Sequence, residues 1–481
     1  MPSHVRGPRA TDLLQWPVIG PFLRWRHARA SLQTAMLCLA AVIVVDGLLG
    51  PSLGPRNLAT VLTWVHYRGW LVLGLLVAGN LTCAACPMVL ARDLGRRLRQ
   101  PKRRWPTRFR GKWTAVGLTA IFFFVYEWQD LWATPRGTAW LLLAYFAAAL
   151  VVDLTFTGAS FCKHVCPIGQ FNLIASTVSP LEVRVKDRAS CGDCRTHDCI
   201  RGVREPHAGS RTGQRGCELG LFLPTKVGNL DCTLCLDCIH ACPVDNVAIA
   251  PRLPGAELSD GSRRSGIGRL WQRRDLAALA LVFVFGALLN AFGMIGPVYA
   301  VERGLAAATG IRSEGPILAA IFAFGLVVVP LVMVGSAAEA TRRLTASRSS
   351  LPRIATAYAY ALVPLGFGIW LAHYGFHWLT GLLTVIPVVQ SRALDLFDAP
   401  VLGAPLWTWA GMRPGAVYPL ELGLLLLGAM GSIATAHAIS GRDHPERAAR
   451  ATVPWAVVVL GLVVASAWVL SQPMEMRGTS L

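Results

Sequence analysis

Long apolar stretches alternate with short polar ones along almost the whole chain. Runs near 31–50, 69–90, 114–133, 138–158, 275–297, 316–336, 354–374, 416–437 and 453–471 are each long enough to cross ~30 Å of hydrocarbon as a helix. A tenth run, 378–390, is short and holds Pro387, so it reads as re-entrant or interfacial. The polar stretch between the fourth and fifth runs breaks this rhythm. It is too long for a loop and too polar for the bilayer, so it reads as an extramembrane insert. The pattern predicts a mainly α, polytopic helical membrane protein of about nine transmembrane helices, with an inserted extramembrane domain. The expected segments are a basic N-terminus (1–30), a four-helix membrane domain (31–184), the insert (185–255), a Gly/Ser-rich linker (256–274) and a five-helix membrane domain (275–481).

Composition agrees: 53% of the 481 residues are hydrophobic and only 15% are charged. The net charge of +19 would suit nucleic acid, but no nucleic-acid motif accompanies it. The cations instead sit in alternate loops. Residues 91–113 hold ten Lys and Arg, and 261–275 hold five. Arg342, Arg343, Arg348 and Arg353 mark another basic loop, and Arg442, Arg447 and Arg450 the next. Between them stand Arg136 alone, or Arg303 with Arg312. The positive-inside rule then puts the N-terminus and the insert in the cytoplasm and the C-terminus in the periplasm of a bacterial inner membrane. No cleavable signal peptide is evident; Trp16, Pro17 and Trp25 give the N-terminus a partly interfacial character.

Eight of the thirteen cysteines lie in 191–242. Cys232, Cys235, Cys238 and Cys242, followed by Pro243, form C-x2-C-x2-C-x3-C-P, in which three close thiolates hold one cubane and the fourth reaches another. Zinc sites seldom use this spacing. Cys191, Cys194 and Cys199 form a looser triplet, and Cys217 stands alone before Glu218. A crossed assignment gives Cys191, Cys194, Cys199 and Cys242 to one [4Fe-4S] cluster. The other takes Cys232, Cys235, Cys238 and Cys217. A zinc-bound or degenerate first site is the alternative. Reduced thiolates also favour the cytoplasm, so the insert reads as a cytoplasmic α+β two-cluster ferredoxin-like domain. Cys83 and Cys86 precede Pro87, and Cys162 and Cys166 precede Pro167, each pair at the cytoplasmic end of an apolar run. Two like pairs at matching depth suggest facing half-sites for a third cluster, another metal ion or a redox dithiol. Their plain reading is small residues packing a helix end, and Cys38 reads as core.

Paired Cys-Pro motifs followed by a two-cluster insert resemble the membrane polyferredoxins, with a FesM-like branch nearest in helix count. This family includes the quinol-dehydrogenase-type subunit of periplasmic nitrate reductase systems, the nitrous-oxide reductase regulator and the cytochrome-oxidase assembly iron–sulfur protein. The resemblance covers about 60–255 and rests on WVHYRGW…GNLTCAACP, FCKHVCPIGQFN and the Cys232–Cys242 run. The first pair departs from the family's C-x3-C-P by one residue, and the five C-terminal helices lie outside the common core. The resemblance implies electron transfer between the quinone pool, or a membrane partner, and the clusters. In the oxidase-assembly branch it implies copper reduction.

Acids and imidazoles inside the apolar runs are the remaining candidates. Asp153, Glu127 and His373 are candidate quinone-site residues, since a quinol needs a proton acceptor beside its hydroxyl; Glu421 is a further intramembrane acid. His373 and His377 share a helix face, and with Met474 and Met476 they form a candidate copper-ligand set on the periplasmic side; His66 precedes the second run. Bland readings are an interfacial cap and a loose tail. The leading expectation is a membrane iron–sulfur electron carrier with respiratory keywords, in which a quinol dehydrogenase-type activity is left open. A copper-reducing maturation factor and a redox sensor are the alternatives. Expected partners are the lipid bilayer, a quinone or membrane redox partner and a soluble cytoplasmic electron donor or acceptor. The absence of a dinucleotide fingerprint and of a P-loop speaks against NAD, FAD and ATP.

Overall fold

The computed structural model describes residues 12–203 and 213–474. It is mainly helical, with 70% helix and 4% strand. Eight of its helices are long and apolar enough to cross a membrane. In chain order they are Ala28–Leu49, Leu58–Ala78, Pro135–Thr155, Arg274–Phe292, Glu314–Thr345, Leu351–Thr380, Pro414–Asp443 and Pro445–Ser471. The expected third span is shorter: Trp113–Trp128 has 16 residues, fewer than the ~20 that a full crossing needs. It nonetheless joins the same two faces. Lys112, at its start, bonds to Asp231 of the insert, and Ala133, just past its end, packs under Gly54 between the first two helices. Thus eight helices, rather than nine, are long enough by themselves.

Three boundaries differ from expectation for local reasons. Asn57 caps the second helix by accepting from the Ala59 N–H at 2.8 Å, so the helix starts at Leu58, eleven residues before the expected 69. It ends at Gly79, whose φ of 69° no other residue adopts cheaply. The Cys83 pair therefore lies in a separate turn, Leu81–Ala84, and not at the end of a continuous span. The re-entrant piece at 378–390 is divided: Thr380 ends one helix, and Val385–Phe397 forms another of 13 residues. Cys38, expected in the core, is exposed on the outside of its helix.

Contacts sort the loops onto two faces. On one face, Arg442 reaches the Ser259 carbonyl at 2.5 Å, Arg447 reaches the Thr345 carbonyl at 2.8 Å, and Lys112 meets the insert. On the other, Arg392 pairs with Asp46 at 2.6 Å and Ile295 bridges to Met474. The insert sits on the first face. Its strands β1 (Leu181–Val185) and β2 (Val247–Pro251) pair antiparallel, with Val183 opposite Ile249. β1 starts before the expected boundary at 185. The N-terminal segment belongs to this unit as well: Leu14 and Leu23 share a core with Val183, Leu236 and Ile249, and the Ile249 N–H donates to Asp12 Oδ1 at 3.1 Å.

Candidate functional site

The insert carries eight of the free cysteines. Asn246 donates from its backbone N–H to Cys242 Sγ at 3.2 Å and from Nδ2 to Cys191 Sγ at 3.3 Å. One residue thus ties the last thiol of the tight run to the first thiol of the loose triplet. Burial pushes the Cys199 thiol up, and the nearby Cys242, Cys191, Cys194 and Cys217 push it further, to about 12. Burial likewise raises Cys238 well above the thiol range, with Cys235, Cys232 and Cys217 adding to it. Cys199 thus has Cys191, Cys194, Cys242 and Cys217 within electrostatic reach, and Cys238 has Cys217, Cys232 and Cys235. Alone, such thiols cannot all ionise, because each thiolate opposes the next. Bound iron would supply the positive charge that lets them.

Local structure favours the same chemistry. Leu234 and Leu236 alternate with the cysteines of the tight run at φ 50° and 67°. Left-handed backbone at two bulky residues is costly and bends the chain sharply between successive cysteines. Among the described residues no three His, Cys, Asp or Glu side chains converge closely enough for a single metal ion. A cubane differs, since each ligand meets a different iron and the thiols frame a wider cage. Leu234, Leu236 and Ile239 form an apolar shell against Cys199, Cys238 and Cys242. The thiol-rich donor set with its apolar surroundings fits iron–sulfur chemistry.

The Cys-Pro pairs also come together. Cys83, Cys86, Cys162 and Cys166 all line one cavity of about 220 Å³ inside the helices. Asn172 Nδ2 lies 3.4 Å from Cys83 Sγ, and the Gly169 N–H donates to Cys166 Sγ at 3.2 Å. Cys162 and the insert's Cys217 and Cys232 pack against the same apolar group, Ala159, Leu219 and Leu221.

Buried ion pairs hold the two parts in register. Arg92 bonds to Glu218 at 2.7 Å and Asp93 at 2.8 Å, and stands 3.6 Å from Asp153. Arg96 bonds to Glu218 at 2.9 Å. Burial would raise the Glu218 carboxyl, but Arg92, Arg215 and Arg96 hold it below the ordinary range. Several cations of the 91–113 loop are therefore spent on the insert. Spacing alone could not have revealed the links to Glu218, which join residues more than a hundred positions apart.

The remaining sequence candidates separate. Asp153 lines the cavity, but it accepts from the Phe161 N–H at 2.8 Å and faces Arg92. Glu127 and His373 are not among the cavity walls. Glu127 accepts from Asn290 Nδ2 at 2.8 Å. His373 and His377 stand with ring centroids 4.9 Å apart, buried and without a third donor of the searched kinds. Met474 is paired to Ile295 in a bridge, and Met476 lies outside the described residues. Arg68, which sequence reading passed over, lines the cavity; a lone Arg inside an apolar run was the available signal.

Helices of membrane length joined to a cysteine-rich insert make this a multi-pass membrane protein rich in free thiols. Among curated proteins the chain is similar to the ferredoxin-type protein NapH of Escherichia coli, with 30% identity over 143 residues. It is also similar to the methylamine utilization ferredoxin-type protein MauN of Methylobacillus flagellatus, with 25% identity over 218 residues. These matches cover 28% and 40% of this chain, and 47% and 71% of the respective relatives. The chain thus spans about half the length of that NapH. The NapH of Haemophilus influenzae matches at 30% over 112 residues, 22% of this chain and 33% of that protein. No family model and no solved structure matches. The resemblance to NapH-like membrane polyferredoxins, first carried by the motifs, stands.

Proposed function

We propose that this chain is a membrane-bound electron carrier working between a quinone or membrane redox partner and iron–sulfur clusters on the cytoplasmic side. The observation that carries it is the apolar group Ala159, Leu219 and Leu221, against which Cys162 of the membrane cavity and Cys217 and Cys232 of the insert all pack. Cys191, Cys194, Cys199 and Cys242 would hold one cluster, and Cys217, Cys232, Cys235 and Cys238 the other, in a ferredoxin-like domain. Bound there, such clusters would take up and release single electrons. The protein's own work is to exclude water with Leu234, Leu236 and Ile239, and to aim N–H groups at sulfur from Asn246 and Leu221. Cys83, Cys86, Cys162 and Cys166 serve in this reading as a third redox site, between the cavity and the insert. Its form is a cluster, another metal or a dithiol. The basic loops favour a cytoplasmic insert and a periplasmic C-terminus, and a soluble donor or acceptor would dock on the cytoplasmic side.

The experiment is anaerobic purification with iron and sulfide analysis and EPR, followed by addition of a short-chain menaquinol or ubiquinol. The reading expects two cluster signals and their response to quinol. Iron near four per chain would remove the second cluster. Signals that answer a soluble reductant but ignore both quinols would remove the quinone partner.

A further inference from the structure

The cavity has a polar end that the thiols do not explain. Four cations are buried among the described residues: Arg68, Arg92, Lys112 and Arg264. Three have an acid partner, namely Glu218 for Arg92, Asp231 for Lys112 and Glu257 for Arg264. Arg68 has none there. Its Nε donates to the Trp64 carbonyl at 2.7 Å, and Nη1 to the Tyr126 hydroxyl at 3.0 Å. Both acceptors are neutral. The Tyr374 ring, 4.5 Å from its Cζ, gives partial compensation. A guanidinium carries five N–H donors, so capacity remains. A cation held inside a membrane without a counter-ion is expensive and is kept for a purpose.

Arg68 faces the cavity, whose walls near it include Trp64, Tyr67, Phe122, Tyr145 and Tyr374. Flat aromatic walls suit a flat ring, and a cavity of about 150 Å³ already admits benzene. The helix just before Arg68 is π-helical from Val61 to Tyr67, a local widening that recurs at functional sites. It leaves the Thr63 hydroxyl, another cavity wall, buried and without a partner.

We propose that Arg68 anchors a quinone headgroup in this cavity. Its guanidinium bonds a ring oxygen, the aromatic walls hold the ring faces, and Thr63 supplies a second polar contact. The assignment rests on the electron-carrier reading for its choice of ligand. The competing occupant is a fatty-acid carboxylate, which has the charge but no ring.

The test uses the full chain in lipid nanodiscs and a short-chain azidoquinone as photolabel, with peptide mapping. Saturable labelling of the 61–68 or 122–145 segments is expected, displaced by a short-chain menaquinone and not by palmitate. Arg68→Met is expected to weaken binding by about tenfold or more, and Arg68→Lys by about threefold or less. Thr63→Val, which keeps the shape, is expected to weaken it by a few-fold, about threefold. Unchanged affinity in Arg68→Met, or displacement by palmitate alone, would overturn the assignment. If Arg68→Met does not fold, equal binding in Thr63→Val and Arg68→Lys together with labelling outside the cavity overturns it. Wild-type protein that binds quinone while its EPR signals ignore quinol keeps the site and sinks the electron-carrier reading. Quinol response unchanged in Arg68→Met does the reverse.

Discussion

Lys112 is the test of how the membrane helices and the insert are locked together. Its ammonium bonds the Lys163 carbonyl at 2.9 Å, Gln170 Oε1 at 2.9 Å and Asp231 Oδ1 at 2.8 Å. All three of its N–H donors are spent. The side chains of Lys112 and Asp231 are 3% and 4% exposed. Burial would raise the Asp231 carboxyl, but Lys112 outweighs it and holds the group below the usual carboxylate range. Lys112→Met strips Asp231 of its main partner, and Lys163 and Arg273 remain only as weaker neighbours. Breaking one side of a buried pair costs about 3–5 kcal/mol. Adding Asp231→Asn removes the stranded charge, so the double variant should recover about 2 kcal/mol relative to the sum of the singles. Equilibrium unfolding in urea, on purified full-length protein, measures this cycle. The sign of the pH effect follows from the depressed carboxyl. The pair's contribution is present above the ordinary carboxylate value and is lost as pH falls through the folded-state value, and Lys112→Met should flatten that acid limb. A Lys112→Met protein within about 1 kcal/mol of wild type, or a cycle that closes to zero, would refute the lock.

The crossed thiol sets predict that Cys242→Ser and Cys199→Ser perturb the same EPR signal, and Cys217→Ser the other; iron should fall from about eight to about four per chain in each. Asp245 bonds Arg24 at 2.7 Å and Lys186 at 3.1 Å, which hold its carboxyl low despite partial burial. Acidification through that carboxyl should therefore release the 12–27 segment, seen as faster amide exchange there, with a stability effect under about 1 kcal/mol because Asp245 is half exposed. Gly428 crosses the helix Leu351–Thr380 so closely that a Cβ would lie 2.9 Å from the Pro364 carbonyl oxygen and 3.0 Å from Leu365 Cα. Gly428→Ala should cost about 1–3 kcal/mol, read as a lower thermal midpoint.

Apolar run length made the membrane helices legible, because a span must satisfy its backbone internally and so shows itself as one long segment. The short third helix escaped that logic. Its 16 residues reach both faces with the help of Lys112 at one end and the Gly54 contact to Ala133 at the other, and neither shows in hydropathy. The second helix was misplaced for a different reason. Its first turns carry His66 and Arg68, which lower the apolar count, while the π-helical stretch and the Asn57 cap extend it backward. Polarity there marked the cavity wall, and run length mistook it for a boundary.

Spacing proposes the thiol sets because a cubane imposes short, fixed gaps on the chain that wraps it. Their convergence rests on residues that spacing does not constrain. Asn246 joins Cys191 and Cys242 across 55 and 4 positions of chain, and Arg92 reaches Glu218 across 126. Such pairs exist only once the fold closes, so one sequence cannot announce them. Arg68 belongs to the same class. In the sequence it is one cation at the edge of an apolar run. In the fold it is a buried charge at the rim of a cavity whose other wall carries four thiols, with Tyr67 between and within electrostatic reach of Cys83, Cys86 and Cys166. What identifies it is the acid that fails to appear beside it, which only the packed neighbours can reveal.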